Sequence, residues 1–575
     1  MHLLEVVLFV TAVVGVIWLG IWKSKDSAAD SGASGYFLAG RGLTWWLVGF
    51  SLIAANISTE QFVGMSGSSA NWLGMAIASY EWMAAITLVV VAFWFLPKFL
   101  KAGLYTIPEF LEYRFGTVSR MAMAIPAIVT LVFVTTSSVI FSGAKFVSAY
   151  YHDVPVLNSL TACCWLIAIF AAVYVYIGGL RACAWTDLVW GSALIVGGLI
   201  VAVLAFNVLA NKPAEELILT KVANSSATVE DLEAAGPWER FMLLNDGKDG
   251  EAEVRNGDNL SGGKVHMVRP KEDSDIPWTA LLVGLWIPNF FYWGLNQYIV
   301  QRTLGAKSLA EGQKGIVFAA FLKLLIPFVV VIPGIMAFNL FSAEMALPGG
   351  GYDYDAAFPV LVRELVKPLP LISWFVLAAL AGAVISSLAS MLNSASTIAT
   401  MDLYARFTGE KDEMKLVRMG KVFVTVFVVL AALLAPQLNK LTSIFAYIQE
   451  FQGFISPGIL AVFIFGFFSP RTPRFFGWLG IVINAVAYAA FKWVVGPILV
   501  NQGWWYSEEM AFLDRMALCF FLVIAVGLVV TKFAPLSRPV EMPVNSAIEL
   551  KSSSGAKLVG IGVCVLTLIF YVIFW

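Results

Sequence analysis

The chain has 575 residues, 59% of them hydrophobic and only 13% charged, with a mean hydropathy of +0.81. A soluble globular protein sits nearer half apolar and a quarter charged, so this chain cannot clothe a water-facing surface and is expected to lie in a bilayer. Its 37 basic and 38 acidic residues leave a net charge of −1, which gives no field to attract nucleic acid, and its five cysteines and three histidines show no metal-ligand spacing.

A helix needs about twenty apolar residues to cross the hydrocarbon core. Fourteen such runs are expected, near 4–22, 44–70, 73–97, 121–149, 157–178, 185–208, 277–301, 314–338, 370–402, 419–436, 441–468, 475–498, 512–531 and 557–575. The first has no basic start and is followed by Lys23 and Lys25, so it reads as a retained span with its N-terminus outside. Alternating the loops from there places 22 basic residues inward, Arg302 among them, against three in the short outward loops. The positive-inside rule therefore predicts both termini outside.

The second span carries Asn56-Ile57-Ser58-Thr59-Glu60-Gln61 at its middle, followed by Gly64 and Gly67. Polar side chains at that depth face a bundle interior or a water-filled cavity. The third holds Tyr80 and Glu81. The outward loop 209–276, rich in Gly, Asn, Asp and Glu, is expected to be mobile or weakly folded. In the seventh span Pro288, Asn289, Gly294, Asn296 and Gln297 follow closely, and Pro288 predicts a break near its own position.

Two interrupted helices five spans apart point to an inverted-repeat transporter with its site at the bilayer midplane. The predicted fold class is an all-α polytopic membrane protein with a five-plus-five core. Segments 44–208 (spans 2–6) and 277–468 (spans 7–11) form its halves. Segments 1–43 and 469–575 are additions, and 209–276 joins the halves.

An unwound helix bares carbonyl oxygens, here at Ala54 and Ile57, and a hard cation takes oxygen ligands. In the ninth span Ser386 and Ser387 stand side by side among small residues. Close helix packing explains such a stretch taken alone; beside a broken helix, two hydroxyls completing a sodium cage is the reading favoured. Lys323 lies mid-way along the eighth span, and Gln449 and Glu450 in the eleventh. A carboxylate, an ammonium and several amides suit a polyhydroxyl ligand, whose hydroxyls donate and accept. Tyr80, Tyr292, Trp293 and Phe445 either stack on such a ligand or simply pack helices together. Lys323, with Glu81 as partner, favours a neutral ligand over a carboxylated one.

The runs YFLAGRGLTWWLVGFSLIAANISTEQFVGMSGS, AIASYEWMAAITL, YTIPEF, GGLRACAWTD, YWGLNQYIVQRTLGAKS and ISSLASMLNSASTIATMDLY resemble the solute:sodium symporter family. They are most similar to its bacterial sodium/galactose cotransporter branch, related to animal sodium/glucose cotransporters. The resemblance covers nearly the whole chain except the 209–276 loop. It implies a leucine-transporter-like core and sodium ligation by the carbonyls of Ala54, Ile57 and Ala383 with the hydroxyls of Ser386 and Ser387. It implies sugar contacts from Gln61, Glu81, Asn289, Lys323 and Gln449, an inner gate at Tyr292, and an outer lid of Met65, Tyr80 and Phe445. Asp187 matches an acidic residue on the sodium path inward.

Two departures concern the cargo. Ala84 stands where the galactose branch has a sugar-touching serine, a loss of about 0.5–1.5 kcal/mol. One extra residue falls near Ala70 and Asn71. The expected function is sodium-coupled import of a galactose- or glucose-like sugar across the plasma membrane by alternating access. Sodium is the coupling ion, and no cofactor is expected. The rival cargoes are a polyol such as inositol, sialic acid, an amino acid or another organic anion. A channel filter motif, a signalling domain and a nucleophile–base pair are all missing from the sequence, which argues against a channel, a sensor or an enzyme.

Overall fold

The computed structural model describes residues 3–25, 33–151, 154–247, 263–273, 275–441, 444–507 and 509–575. Among them the chain is helical, with isolated bridges such as Leu43–Ala306 in place of strands. Nine of the described helices are long and apolar enough to cross a membrane. A tenth candidate is the pair Ile444–Gly453 and Ser456–Phe468, bent by 44°. Four shorter apolar helices cover Val7–Lys23, Trp45–Asn56, Leu160–Tyr176 and Ala280–Leu295. Helices prevail because lipid offers no partner to a bare N–H or C=O, so each span must satisfy its own backbone.

Helical backbone runs from Leu160 to Asn211, yet it is not one rod. The hydroxyls of Tyr174 and Thr186 are 2.5 Å apart. Twelve residues of straight helix would separate them by ~18 Å. The chain therefore doubles back between them, as the two predicted runs 157–178 and 185–208 require.

The first interruption falls where the polar run lies. The Trp45–Asn56 helix ends at Ile57, which is extended (φ −89, ψ 108). Beyond it, Gln61 Oε1 accepts the Ser58 N–H at 2.9 Å, so a side chain replaces the lost turn. The second interruption is not at Pro288. Pro288 sits in the first turn of the Trp286–Leu295 helix, where its missing N–H removes no intrahelical bond. The break comes eight residues later, at Asn296 (φ −81, ψ 122), which starts the Gln297–Leu304 helix.

The eighth run extends further than expected, through helices Leu309–Lys323, Ile326–Val329 and Val331–Met345. The backbone steps at Leu324 and Leu325, and the indole of Trp82 donates to the Leu324 carbonyl at 3.3 Å. This step sets Lys323 at a helix end deep in the protein, fully buried.

The described parts of segment 209–276 are more ordered than its composition suggests. A capping box at Thr228 and Asp231 starts helix Val229–Ala234, and Pro237 starts Pro237–Asn245. Leu232, Phe241 and Leu244 are buried, and Arg240 donates to the carbonyls of Leu209, Ala210 and Lys212. A few well-spaced apolar residues and one arginine dock this segment on the preceding span. Residues 248–262 fall outside the described residues, and the expectation for them with it.

The loop also clamps the turn after the first broken helix. Lys264 Nζ donates to the Ala70 carbonyl at 2.6 Å and lies 4.0 Å from the centre of the Phe338 ring. Gly74 has φ +52, and a Cβ there would strike the Lys264 carbonyl oxygen at 2.1 Å. Burial pushes the Lys264 ammonium down from its ordinary 10.5 to about 7. Between those values the unfolded chain holds a proton that the folded one has released, so stability rises with pH across that window. The protection of amides around Met75 and Met267, measured as exchange relative to the intrinsic base-catalysed rate at each pH, is expected to rise from pH 7 to pH 10.

Candidate functional site

The C-terminal turn of the Trp45–Asn56 helix leaves its last carbonyls without backbone donors, as every helix end does. Here they point to hydroxyls of the Pro370–Ile398 helix. Ser387 Oγ is 3.3 Å from the Ala54 oxygen and 3.2 Å from the Ala55 oxygen; Ser386 Oγ is 3.5 Å from the Ala54 oxygen. Ile57 and Ala383 are fully buried, Ile57 three residues past Ala54 and Ala383 one turn before Ser387. The helix Leu160–Asn211 packs closely on the same turn from another side: a Cβ on Gly191 would lie 3.2 Å from the Ala54 Cβ and from the Phe50 oxygen. This set of neutral oxygens, carbonyl and hydroxyl, has the chemistry of an alkali-cation site.

Beside it lies a buried ionic cluster. Asp187 accepts from Ser51 Oγ at 2.5 Å and from Ser386 Oγ. Arg302 approaches the same carboxylate at 3.5 Å, donates to the Ser51 carbonyl at 3.0 Å, and bonds Ser390 and the Tyr298 carbonyl. Both partners are fully buried, as an ion pair in a dry core must be when every charge is matched. Arg302 is therefore not an inward-loop charge, as expected from the sequence; the Gln297–Leu304 helix carries it into the core. Asp187 is brought next to Ser386. Arg302, Ser51 and Ser390 had no sequence signal beyond their residue types.

A narrow cavity of about 70 Å³ opens on the other side of the first break. Gln61, Glu81, Asn289, Lys323 and Gln449 all line it, as do Met65, Tyr80, Tyr292 and Phe445. Lys323 Nζ bonds both Glu81 and Asn56 Oδ1. Asn56 Nδ2 in turn donates to the Tyr292 hydroxyl at 2.8 Å, and Tyr292 meets Tyr298. One hydrogen-bonded chain thus links both broken helices to helices Ser79–Val90 and Leu309–Lys323. Asn289 Nδ2 donates to the Leu285 carbonyl at 3.0 Å, leaving its oxygen toward the cavity wall, and Gln449 Oε1 is buried without a hydrogen-bond partner among the described residues. Ala84 is buried and does not line the cavity.

Tyr80 and Phe445 meet edge-to-face, ring centroids 4.9 Å apart, and separate this cavity from a vestibule of about 700 Å³. Its wall includes Lys145 and Asp353, paired at 2.8 Å, and Asp355. Burial, with Asp353 adding to it, raises the Asp355 carboxyl to about 7. Glu450, next to Gln449, points away from the cavity, toward Tyr488, Lys492 and Arg515. Asn56 and Glu60 stand on the cavity wall although no role was foreseen for either.

Residues 36–475 match the sequence model of the Sodium:solute symporter family. The chain belongs to that family. It is 36% identical over 591 residues to the sodium/glucose cotransporter of Vibrio parahaemolyticus, covering 100% of this chain and 98% of that one. It is 32% identical over 489 residues to sodium/myo-inositol cotransporter 2 of Sus scrofa, covering 82% of this chain and 67% of the relative. Among solved structures, a Na+-coupled sialic acid symporter in a substrate-bound outward-open state superposes with a TM-score of 0.71 at 19% identity, over 93% of this chain and 98% of that one. A nucleobase-cation-symport-1 family transporter superposes at 0.51 and 11% identity, over 92% of this chain and 98% of that one. These neighbours share the leucine-transporter fold. The symporter is thus a multi-pass membrane transporter coupled to sodium, and not an enzyme.

Proposed function

We propose that the symporter imports a neutral hexose of the glucose or galactose type, driven by sodium bound between Ala54, Ile57, Ala383, Ser386 and Ser387. Gln61, Glu81, Asn289, Lys323 and Gln449 hold the solute, Tyr80, Phe445 and Met65 close over it, and Tyr292 closes beneath it. The reading takes fourteen spans, built as two inverted repeats with additions at either end, both termini outside and the plasma membrane as location. Asp187 passes the ion inward from Ser386.

The observation that carries this is the Lys323–Glu81 pair. An ammonium already met by a carboxylate and an amide is not free to seek an anionic cargo. It offers instead the mixed donors and acceptors that sugar hydroxyls need. Sodium held on the Trp45–Asn56 and Pro370–Ile398 helices fixes the break that also walls the cavity, so ion and solute favour one conformation and each other. An entering sodium ion gains about 2.3 kcal/mol per 100 mV, and a tenfold gradient adds about 1.4 kcal/mol. Together they support accumulation of about several hundredfold.

A second reading keeps the mechanism and changes the cargo to a polyol such as inositol. The myo-inositol cotransporter among the relatives favours it. Sialic acid, an amino acid or another organic anion fits the paired Lys323 less well. Uptake of labelled hexoses, polyols and anionic sugars into proteoliposomes under a sodium gradient decides between them. Sodium-driven uptake of a hexose is the expected outcome; uptake of an organic anion alone contradicts it. Gln449→Ala is expected to raise the half-saturating solute concentration about two- to tenfold at saturating sodium. An unchanged value in the same assay places the solute elsewhere.

A further inference from the structure

We propose that Glu60 is a charge filter on the solute site: its carboxylate admits neutral and ammonium-bearing solutes and turns anionic ones away. The inference rests on the central cavity being the solute site. Two carboxylates line that cavity, and they are not equivalent. Glu81 is matched by Lys323, whose remaining reach goes to Asn56. Glu60 has no cation among the described residues. Its Oε1 receives only a long bond of 3.5 Å from Gln61 Nε2, and its Oε2 is buried with no hydrogen-bond partner among the described residues.

The residue is 7% exposed, so this oxygen is not answered by bulk water. A buried polar atom without a partner costs free energy, more so when charged. That cost is recovered when a ligand brings the missing donor. A sugar hydroxyl does so, and an ammonium does so with charge compensation added. A carboxylated solute does the reverse, since like charges at close range in a low dielectric repel strongly.

The backbone places Glu60 for this. The break at Ile57 and Ser58 turns the chain, and the Glu60 N–H is held by Ser58 Oγ at 3.3 Å. Glu60 thus starts the second half of the broken helix, three residues past Ile57 at the ion side and next to Gln61 on the cavity wall. The ion pair Lys323–Glu81 sums to zero, so of the two carboxylates on the cavity wall it is Glu60, in its ionised form, that sets the charge a solute meets.

The test uses three solutes on one ring: a neutral hexose, its amino-deoxy derivative and its uronate. Each competes against labelled neutral hexose for uptake by the reconstituted full chain at saturating sodium. In the parent the amino-deoxy sugar competes at least as well as the hexose, and the uronate at least about tenfold worse. Glu60→Gln narrows the gap between the two charged competitors by about tenfold or more, while Glu60→Asp keeps their order. A parent that takes the uronate as readily as the hexose overturns the proposal. So does a Glu60→Gln variant that keeps the parental gap, or a Glu60→Asp variant that loses it as Gln does. Failure of the underlying sugar reading looks different: the parent then takes up no hexose but does take up a polyol. The same charge series built on that polyol then decides the role of Glu60 separately.

Discussion

Lys323→Met abolishes sodium-driven uptake and lowers stability by about 3–5 kcal/mol, the range for leaving one member of a buried ion pair uncompensated. The size follows from the surroundings. Lys323 is fully buried and Glu81 is 4% exposed, so neither charge finds water when the other is removed. Asn56 Oδ1 loses its donor at the same time, and Asn56 orients the Tyr292 hydroxyl below the cavity. Stability and transport are separable here. The double variant Glu81→Gln/Lys323→Met removes both charges and regains most of the lost thermal stability, since a buried pair replaced by uncharged groups is often neutral or stabilising. Its uptake stays absent, because both solute-facing groups are gone. Thermal unfolding in detergent and uptake in proteoliposomes read the two effects. A single variant with parental uptake would remove the pair from the solute site.

Ser387→Ala raises the sodium concentration needed for half-maximal uptake by about tenfold or more, as expected for deleting one ligand to a charged partner. Its hydroxyl is the group nearest two bare carbonyls, at 3.2 and 3.3 Å. Alanine keeps the helix and its packing, so the fold is not at stake. Ser386→Ala behaves differently. Ser386 also donates to Asp187, whose other hydrogen bonds come from Ser51 and Arg302. Its removal disturbs the ionic cluster as well as the ion, so a loss of stability accompanies the loss of sodium response. Sodium titration of uptake, with unfolding measured in parallel, separates the variants. A parental sodium response from Ser387→Ala moves the ion elsewhere.

Much of this was legible in the sequence because lipid makes polarity conspicuous. The run Asn56–Gln61 stands out in an apolar span, and the chain unwinds within it at Ile57 and Ser58. Lys323 and Glu81 are in different spans, yet two opposite charges at depth have few ways to be stable apart. The second break was misplaced for a local reason. Proline disrupts a helix interior but is tolerated in a first turn, and a preceding turn of wider pitch at Ala280–Gly284 puts Pro288 in that position. The better signal was Asn296, a favoured residue type immediately before a helix start, ahead of Gln297–Leu304.

Arg302 was misread because a basic residue at the end of a span resembles a loop charge, and only three-dimensional packing brings Asp187, 115 positions earlier, to meet it. The 209–276 loop was misread because composition averages over it. Leu232, Phe241 and Leu244 are few, but they lie where a neighbouring span can cover them.

The central claim is that the two interrupted helices build an ion site and a solute site that share one break in the chain, and so act on each other. The direct measurement is the dissociation constant of the hexose in the purified symporter with saturating sodium and with choline in its place, and that of sodium with and without the hexose. The account predicts that each ligand tightens the other by the same factor, about fivefold to a hundredfold, and that Ser387→Ala raises the sodium concentration needed for that effect by about tenfold or more. Hexose affinity indifferent to sodium in the parent protein would contradict it.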